Sequence, residues 1–203
     1  ERTIKITDFG AGSTINNSKT RKVKDVARNS AKNAKFGKLL YRIIQFYKPK
    51  NIIELGTSLG ISTSYLAKAD ANAQVFTFEG CPETAKIAQE NFEKQGIKNA
   101  SITLGDFNLT LTEKLKEIKT IELAFVDGNH QEKPTISYFR KCLEYANNDT
   151  IFIFDDIHWS DGMENAWNYI KAHPNTTLTI DLFSVGIVFV KSELSKEDFT
   201  IRF

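Results

Sequence analysis

Residues 51–62, "NIIELGTSLGIS", decide how the rest of the chain is read. "NIIEL" is a short and nearly continuous apolar run, as expected of a strand buried on both faces. Glu54 interrupts it, Gly56 and Gly60 punctuate a turn, and Ser62 opens the helix-forming stretch "STSYLAKAD". Strand, turn and helix start in quick succession predict one unit of an alternating α/β sheet. A pyrophosphate loop would need G-x-G-x-x-G here, so that the backbone can press against the phosphates. This chain instead has an acid before Gly56 and a second glycine four residues later. An E-x-G-x-x-x-G loop suits a ligand with a cationic group near the turn; a methionine-like amino group fits, a doubly anionic pyrophosphate does not. The helix start at Ser62 can still receive a carboxylate.

The alternation continues downstream. "AQVFTFE" reads as a second strand, and "PETAKIAQENFEKQ" as a helix with Pro82 in its first turn. "ASITLG", "IELAFVD" and "TIFIFDD" read as the third, fourth and fifth strands. Helices are expected at "TLTEKLKEI" and from about Pro134 to Ala146. Asp161 and Glu164 are expected to form a capping box for a helix carrying Met163, Ala166, Trp167 and Ile170. "TLTIDLF" and "GIVFVK" are joined too closely for a crossover, so they should be antiparallel. The expectation is an α/β protein with a doubly wound seven-stranded sheet, mostly parallel, with one antiparallel strand near the C-terminus. Ligands then lie at the carboxyl ends of the parallel strands. "FTIRF" at the end is a candidate edge strand.

At 203 residues the chain suits one domain with a small appendage. We divide it into residues 1–50, an N-terminal loop and basic amphipathic helix acting as lid or cap, and a core of 51–203. Residues 8–20 are rich in Gly, Ser, Thr and Asn and read as a loop; "DFGAGS", with Arg21 just beyond, is a candidate lid or a flexible N-terminal loop. From about Val23 to Tyr47 one helix is expected, with Phe36, Leu39, Leu40, Ile43, Ile44 and Tyr47 on one stripe and Pro49 closing it. Residues 19–50 carry eleven Lys or Arg against one acid, whereas 51–203 carry a net −8. That asymmetry fits a solvated basic face lying on an acidic body, and nucleic acid is disfavoured because few aromatics are placed for stacking. Two cysteines without a CxxC pair and no visible secretory signal point to a reducing cytoplasm. No apolar run is long enough to span a bilayer, so no membrane partner is expected. The oligomeric state is left open, a homodimer included.

Acids recur where the strands end. Glu79 closes the second strand, and a carboxylate there can accept both ribose hydroxyl hydrogens. The third strand ends "LGDF", offering Asp106 to an adenine amino group and Phe107 to its face. Each has an ordinary reading as a turn or solvated residue; together they form one rim. In this order, "ELGTSLGIS", "TFEG", "LGDF", "VDGNH" and "FDDIHW" resemble the class I S-adenosylmethionine-dependent methyltransferases, over roughly residues 20–203. Within that class the chain is similar to the small O-methyltransferases of the catechol, caffeoyl-CoA and macrocin types. The resemblance implies a Rossmann-like core. It further implies that Glu54, Gly56, Ser58, Gly60 and Ser62 hold the methionine end of S-adenosylmethionine, that Glu79 holds the ribose and Asp106 with Phe107 the adenine, and that Asp127 borders the cofactor.

The fourth strand ends "FVDGNH" and the fifth "FDDIHW". Asp127, Asp155 and Asp156 should converge there, and three carboxylates repel one another unless a cation neutralises them. Oxygen-only ligands suit a hard divalent ion, with Mg²⁺ the usual choice. Asp155 and Asp156 can share an ion only if the strand ends at that point and the backbone turns. Their alternative is N-capping and a hydrogen bond to the cofactor's amino end. His130, three residues beyond Asp127, stands where the catechol type carries a lysine base; it is a candidate base or a loop hydrogen-bonder. Asn129 stands where the macrocin type has a proposed acidic base, and an amide cannot fill that role. His158 and Trp159 are candidate acceptor-site residues, or ordinary loop and packing residues.

The function expected is divalent-metal-assisted O-methylation of a small hydroxylated molecule. The alternatives are a metal-independent O- or N-methyltransferase, with a larger acceptor among its variants, and a non-catalytic cofactor-binding module. A nicotinamide oxidoreductase is disfavoured by the missing G-x-G-x-x-G.

Overall fold

The computed structural model describes residues 2–7, 20–30 and 34–203, without the side chains of residues 29 and 30. The "DFGAGS" candidate lid, and the rest of the expected loop except Thr20, lie outside the described residues. The main sheet is built from β3 (Asn51–Leu55), β4 (Gln74–Glu79), β5 (Ala100–Leu104), β6 (Ile121–Val126), β7 (Ala146–Asp155), β8 (Leu178–Asp181), β9 (Val185–Phe189) and β10 (Glu197–Thr200). A separate two-stranded ribbon pairs β1 (Thr3–Lys5) with β2 (Thr20–Lys22). The helices are α1 (Val23–Ser30), α2 (Ala34–Tyr47), α3 (Ile61–Ala69), α4 (Pro82–Gln95), α5 (Phe107–Ile118), α6 (Glu132–Leu143) and α7 (Asp161–Ala172).

The sheet order is β10-β8-β9-β7-β6-β3-β4-β5, and only β9 runs against the others. Strand β3 has β4 on one side and β6 on the other, so the winding reverses there and opens a crevice at the carboxyl ends. Alternation along the strands explains why each reads as continuously apolar. Ile53 and Leu55 join Phe78, Ala124, Phe152 and Phe154 in one core under α5, α6 and α7. Ile52 joins Val75, Leu123, Phe125, Ile151 and Ile153 in the other, under α2 and α3.

The helix expected from Val23 to Tyr47 is described as α1 and α2; residues 31–33 between them lie outside the described residues. Three sequence expectations change. The sheet has eight strands, because residues 197–200 pair with β8; the expected edge strand thus begins two residues before "FTIRF" and ends at Thr200. Helix α5 starts at Phe107, because the Asp106 carboxylate caps it by accepting the Asn108 N–H. Helix α7 is capped by Ser160, whose hydroxyl accepts the Met163 N–H at 3.3 Å, so Asp161 and Glu164 do not form the capping box. Ser160 has the extended backbone an N-cap requires and stands three residues before Met163.

The N-terminal ribbon packs against α4 and the turn after β3. Ile4 and Val26 bury against Leu59 and Ile87, joining the ribbon and α1 to the turn after β3 and to α4. Polar contacts fix the same placement: Arg2 pairs with Glu90 at 2.5 Å, and the Lys5 N–H donates to Glu83 Oε2 at 2.7 Å. Among the described residues, no helix is long and apolar enough to cross a membrane.

Candidate active site

The turn between β3 and α3 is built by close backbone approach. Gly56 has φ +109°, and a Cβ there would stand 2.0 Å from the Asp127 carbonyl oxygen. Gly60, at φ +77°, precedes α3, and a Cβ there would meet the Phe92 ring at 2.5 Å. Only glycine meets both demands, left-handed backbone and no side-chain volume. The Asp127 N–H donates to the Leu55 carbonyl at 2.8 Å, so the ends of β3 and β6 are held in contact.

Around this turn lies a recess of about 440 Å³, counting its open mouth. Gly56, Ser58 and Ser62 form its floor side, Phe36 and Tyr65 its apolar wall, and Asp127 its edge. Helix α1 contributes Val26 and Ala27. Glu54 lies behind the turn rather than on the recess. It is fully buried, and its Oε2 accepts the hydroxyls of Thr63 at 2.5 Å and Thr77 at 2.6 Å. Burial pushes its carboxyl up to about 7, against the opposing pull of the Ser62, Thr63 and Thr77 hydroxyls.

Glu79 is held on the rim by main-chain donors. Its Oε2 accepts the Ser58 N–H and its Oε1 the Cys81 N–H, both at 2.8 Å. Further along the rim, Asp106 uses Oδ1 for the α5 cap. Phe107 is half-buried, edge-on to Phe78 and Tyr138 at 6.3 and 6.0 Å between centroids. Its ring also abuts Gly128, where a Cβ would fall 2.8 Å away.

On the other side of the crevice the acids divide. Asp127, His130 and Asp155 each offer a donor atom within 4.8 Å of the others. Asp156 is not part of that group but lies next to it. Asp155 is the last residue of β7 and is buried, whereas Asp156 turns to φ +54° and donates its N–H to the Ser184 carbonyl. Its Oδ2 then faces His130 Nδ1 at 3.9 Å, while His130 Nε2 faces Asp127 Oδ1 at 3.7 Å. Asn129 and His130 both have positive φ, +70° and +26°, which turns the imidazole back over the end of β6. Such backbone costs about 1–3 kcal/mol per residue and gathers at functional sites. The Asn129 amide donates to the Tyr138 hydroxyl at 3.1 Å.

His158 is engaged elsewhere. Its Nε2 lies 2.8 Å from Asp181 Oδ2 and its Nδ1 3.2 Å from Glu164 Oε1, and its ring stacks on Phe183. Burial pulls its pKa down, but the two carboxylates outweigh it and the net shift is upward. Trp167 Nε1 also donates to Asp181 Oδ2, so this cluster ties the loop after β7 to the turn after β8. Trp159 is 57% exposed beside it. Asp181 was missed in the sequence, where it looked like one polar position in "TLTIDLF"; its place just before the chain reversal was the available signal. Thr63 and Thr77, which hold Glu54, carry no comparable signal.

A methyltransferase domain model matches residues 53–157, just over half of the chain. The chain belongs to that family. The chain is 30% identical over 124 residues to a catechol O-methyltransferase of Niastella koreensis, covering 60% of this chain and 55% of that protein. A catechol O-methyltransferase of Mycobacterium tuberculosis is 24% identical over 129 residues, covering 63% and 57%. The chain thus spans just over half the length of those two relatives. Among solved structures, an O-methyltransferase from Bacillus cereus in complex with S-adenosylhomocysteine superposes with a TM-score of 0.68 at 20% identity, covering 82% of this chain and 90% of that one. TomG, an O-methyltransferase of tomaymycin synthesis from Streptomyces achromogenes, gives 0.69 at 19%, covering 84% and 88%. At these identities the likeness establishes the methyltransferase fold.

Proposed function

We propose that the chain is an S-adenosylmethionine-dependent O-methyltransferase acting on a small hydroxylated molecule with the help of a divalent ion. One observation carries this reading: Asp127 edges the recess beside the Gly56–Ser62 turn and also belongs to the Asp127–His130–Asp155 group. Cofactor and acceptor would therefore meet across one side chain, as an in-line displacement at about 3 Å requires. The resemblance to catechol O-methyltransferases supports the acceptor class.

In this reading Gly56, Ser58, Gly60 and Ser62 hold the methionine end, with Glu54 supporting their turn from behind. Glu79 holds the ribose, and Asp106 and Phe107 border the adenine. The donor set fits a divalent ion, which would supply both a fixed position for a hydroxylated acceptor and a lowered hydroxyl pKa. Asp127 and Asp155 would hold it. Trp159 stands exposed at the acceptor side, and His158 sets the shape of that loop through Asp181. The ribbon and α1, within residues 1–50, cap the recess on the core of 51–203. A cytoplasmic setting fits the two buried free thiols, Cys81 and Cys142.

A second reading dispenses with the ion. His130 lies between Asp127 and Asp156, where it can take the acceptor's proton and share the charge with either carboxylate. Incubation with methyl-labelled S-adenosylmethionine and a panel of catechols and simple phenols separates the two. Catechol methylation lost on chelation and restored by a divalent salt supports the first reading. Turnover unchanged after exhaustive chelation supports the second, and no transfer to any hydroxylated acceptor contradicts both.

A further inference from the structure

We propose that β10 is a self-pairing edge, through which two copies of this chain join antiparallel about a two-fold axis at Thr200. The inference is independent of the methyl-transfer reading. Strand β10 closes one edge of the main sheet, and among the described residues no strand pairs with its outer side. Every residue from Glu197 to Phe203 is exposed, and Phe199, Ile201 and Phe203 keep between 44% and 48% of their surface open to solvent. An open strand of this kind is a template for another chain. The Glu197 N–H donates to the Thr177 carbonyl at 2.9 Å and the Ile201 N–H to the Asp181 carbonyl at 2.8 Å. The odd-numbered residues of β10 thus turn their main-chain groups to β8, and Asp198, Thr200 and Arg202 turn theirs outward.

Only those outward residues can form the hydrogen-bonded pairs of an added antiparallel strand. Setting Thr200 opposite its own copy places Asp198 opposite Arg202 of the second copy. Phe199 then falls opposite Ile201 of the second copy, in the positions where cross-strand side chains come closest. Opposite charges meet on one face of the sheet and apolar side chains on the other, and each pair occurs twice by symmetry. Asp198 Oδ1 accepts the Thr179 hydroxyl, which holds the carboxylate on the face it shares with Arg202. The neighbouring registers set Thr200 opposite Asp198 or Arg202 and part the two charges. Charges on an edge strand ordinarily deter pairing. Here they have opposite signs and stand equally far from Thr200, so self-pairing brings them together.

The test is sedimentation velocity on the full chain, from micromolar to submillimolar concentration. A reversible equilibrium between monomer and dimer is expected. Thr200→Pro removes an outward N–H that β8 does not use, so the variant should fold and stay monomeric. Asp198→Arg and Arg202→Asp each set like charges opposite one another in a homodimer, and each should weaken it at least about tenfold. Mixed in equal amounts, the two variants set opposite charges at every such pair, and dimers should return; a variant that merely misfolds would not regain them. The Thr200 amide should exchange with deuterium more slowly as concentration rises, whereas the Ile201 amide, already bonded to β8, should change less. A wild-type chain that stays monomeric throughout, a dimer untouched by Thr200→Pro, or charge variants that fail to associate when mixed overturns the proposal.

Discussion

The Ser58 main-chain N–H donates to Glu79 Oε2 at 2.8 Å, tying the turn after β3 to the end of β4. Glu79 therefore shapes the turn, and in the proposed reading it also holds the ribose. Glu79→Gln keeps an acceptor for one amide and removes the charge; it should weaken S-adenosylhomocysteine by about 10–100-fold, the worth of a charged hydrogen bond. Glu79→Ala should also lower stability by about 1–2 kcal/mol, since the Ser58 and Cys81 amides both lose their partner. Calorimetric titration and thermal melts read the two effects separately. Unchanged affinity in both variants would remove Glu79 from the ribose site.

Glu54 makes stability depend on pH. Its folded-state pKa, near 7, lies above an unfolded value of about 4.5. The folded protein holds the proton more tightly, so stability falls as pH rises from about 4.5 to about 7. The loss is of the order of 3 kcal/mol. Glu54→Gln keeps an acceptor for Thr63 and Thr77 and cannot ionise. It should flatten the slope of melting temperature over that window and be no less stable than the wild type at pH 8. An identical slope in wild type and variant would contradict this.

Gly56→Ala tests the contact between β3 and β6. The new methyl would stand 2.0 Å from the Asp127 carbonyl at a backbone angle unfavourable to alanine. A cost of at least about 3 kcal/mol is expected, or a melting temperature lower by about 6–12 °C. A variant melting within 2 °C of the wild type, with about that margin set by the same scaling, would show the contact to be looser than described.

Asp181→Asn tests the cluster around His158. The variant keeps an acceptor for Trp167 Nε1 and removes the charge facing His158. The His158 pKa should fall, as read by NMR titration of the imidazole protons. A raised histidine pKa stabilises below its unfolded value of about 6.5, and that contribution is lost as pH rises through the folded value. The stability gap between wild type and Asp181→Asn should therefore be wider at pH 5.5 than at pH 8.5.

Much of the fold was legible in the sequence. Each strand of the parallel core is flanked by glycine, proline or acid, and the short link from "TLTIDLF" to "GIVFVK" exposed the reversed strand β9. What escaped were features set by tertiary contact. The β1–β2 ribbon is too short to show a pattern, and it forms because Ile4 buries against Leu59 and Ile87. In the site, the sequence singled out Gly56, Ser58, Glu79 and Asp127; Gly56, Ser58 and Asp127 line one recess, and Glu79 accepts the Ser58 N–H beside it. The sequence did not separate Asp155 from Asp156, because their division depends on one backbone angle at Asp156. Nor did it show that Glu54 lies behind the turn, since an acid within a buried strand reads alike from either side.

The central claim is that the crevice between the Gly56–Ser62 turn, Glu79 and Asp127 receives S-adenosylmethionine. Calorimetric titration of the intact chain with S-adenosylhomocysteine tests it most directly. The expected result is one-to-one binding in the micromolar range, lost or much weakened in Glu79→Ala. No heat of binding from a folded wild-type protein, or equal binding in the variant, would contradict it.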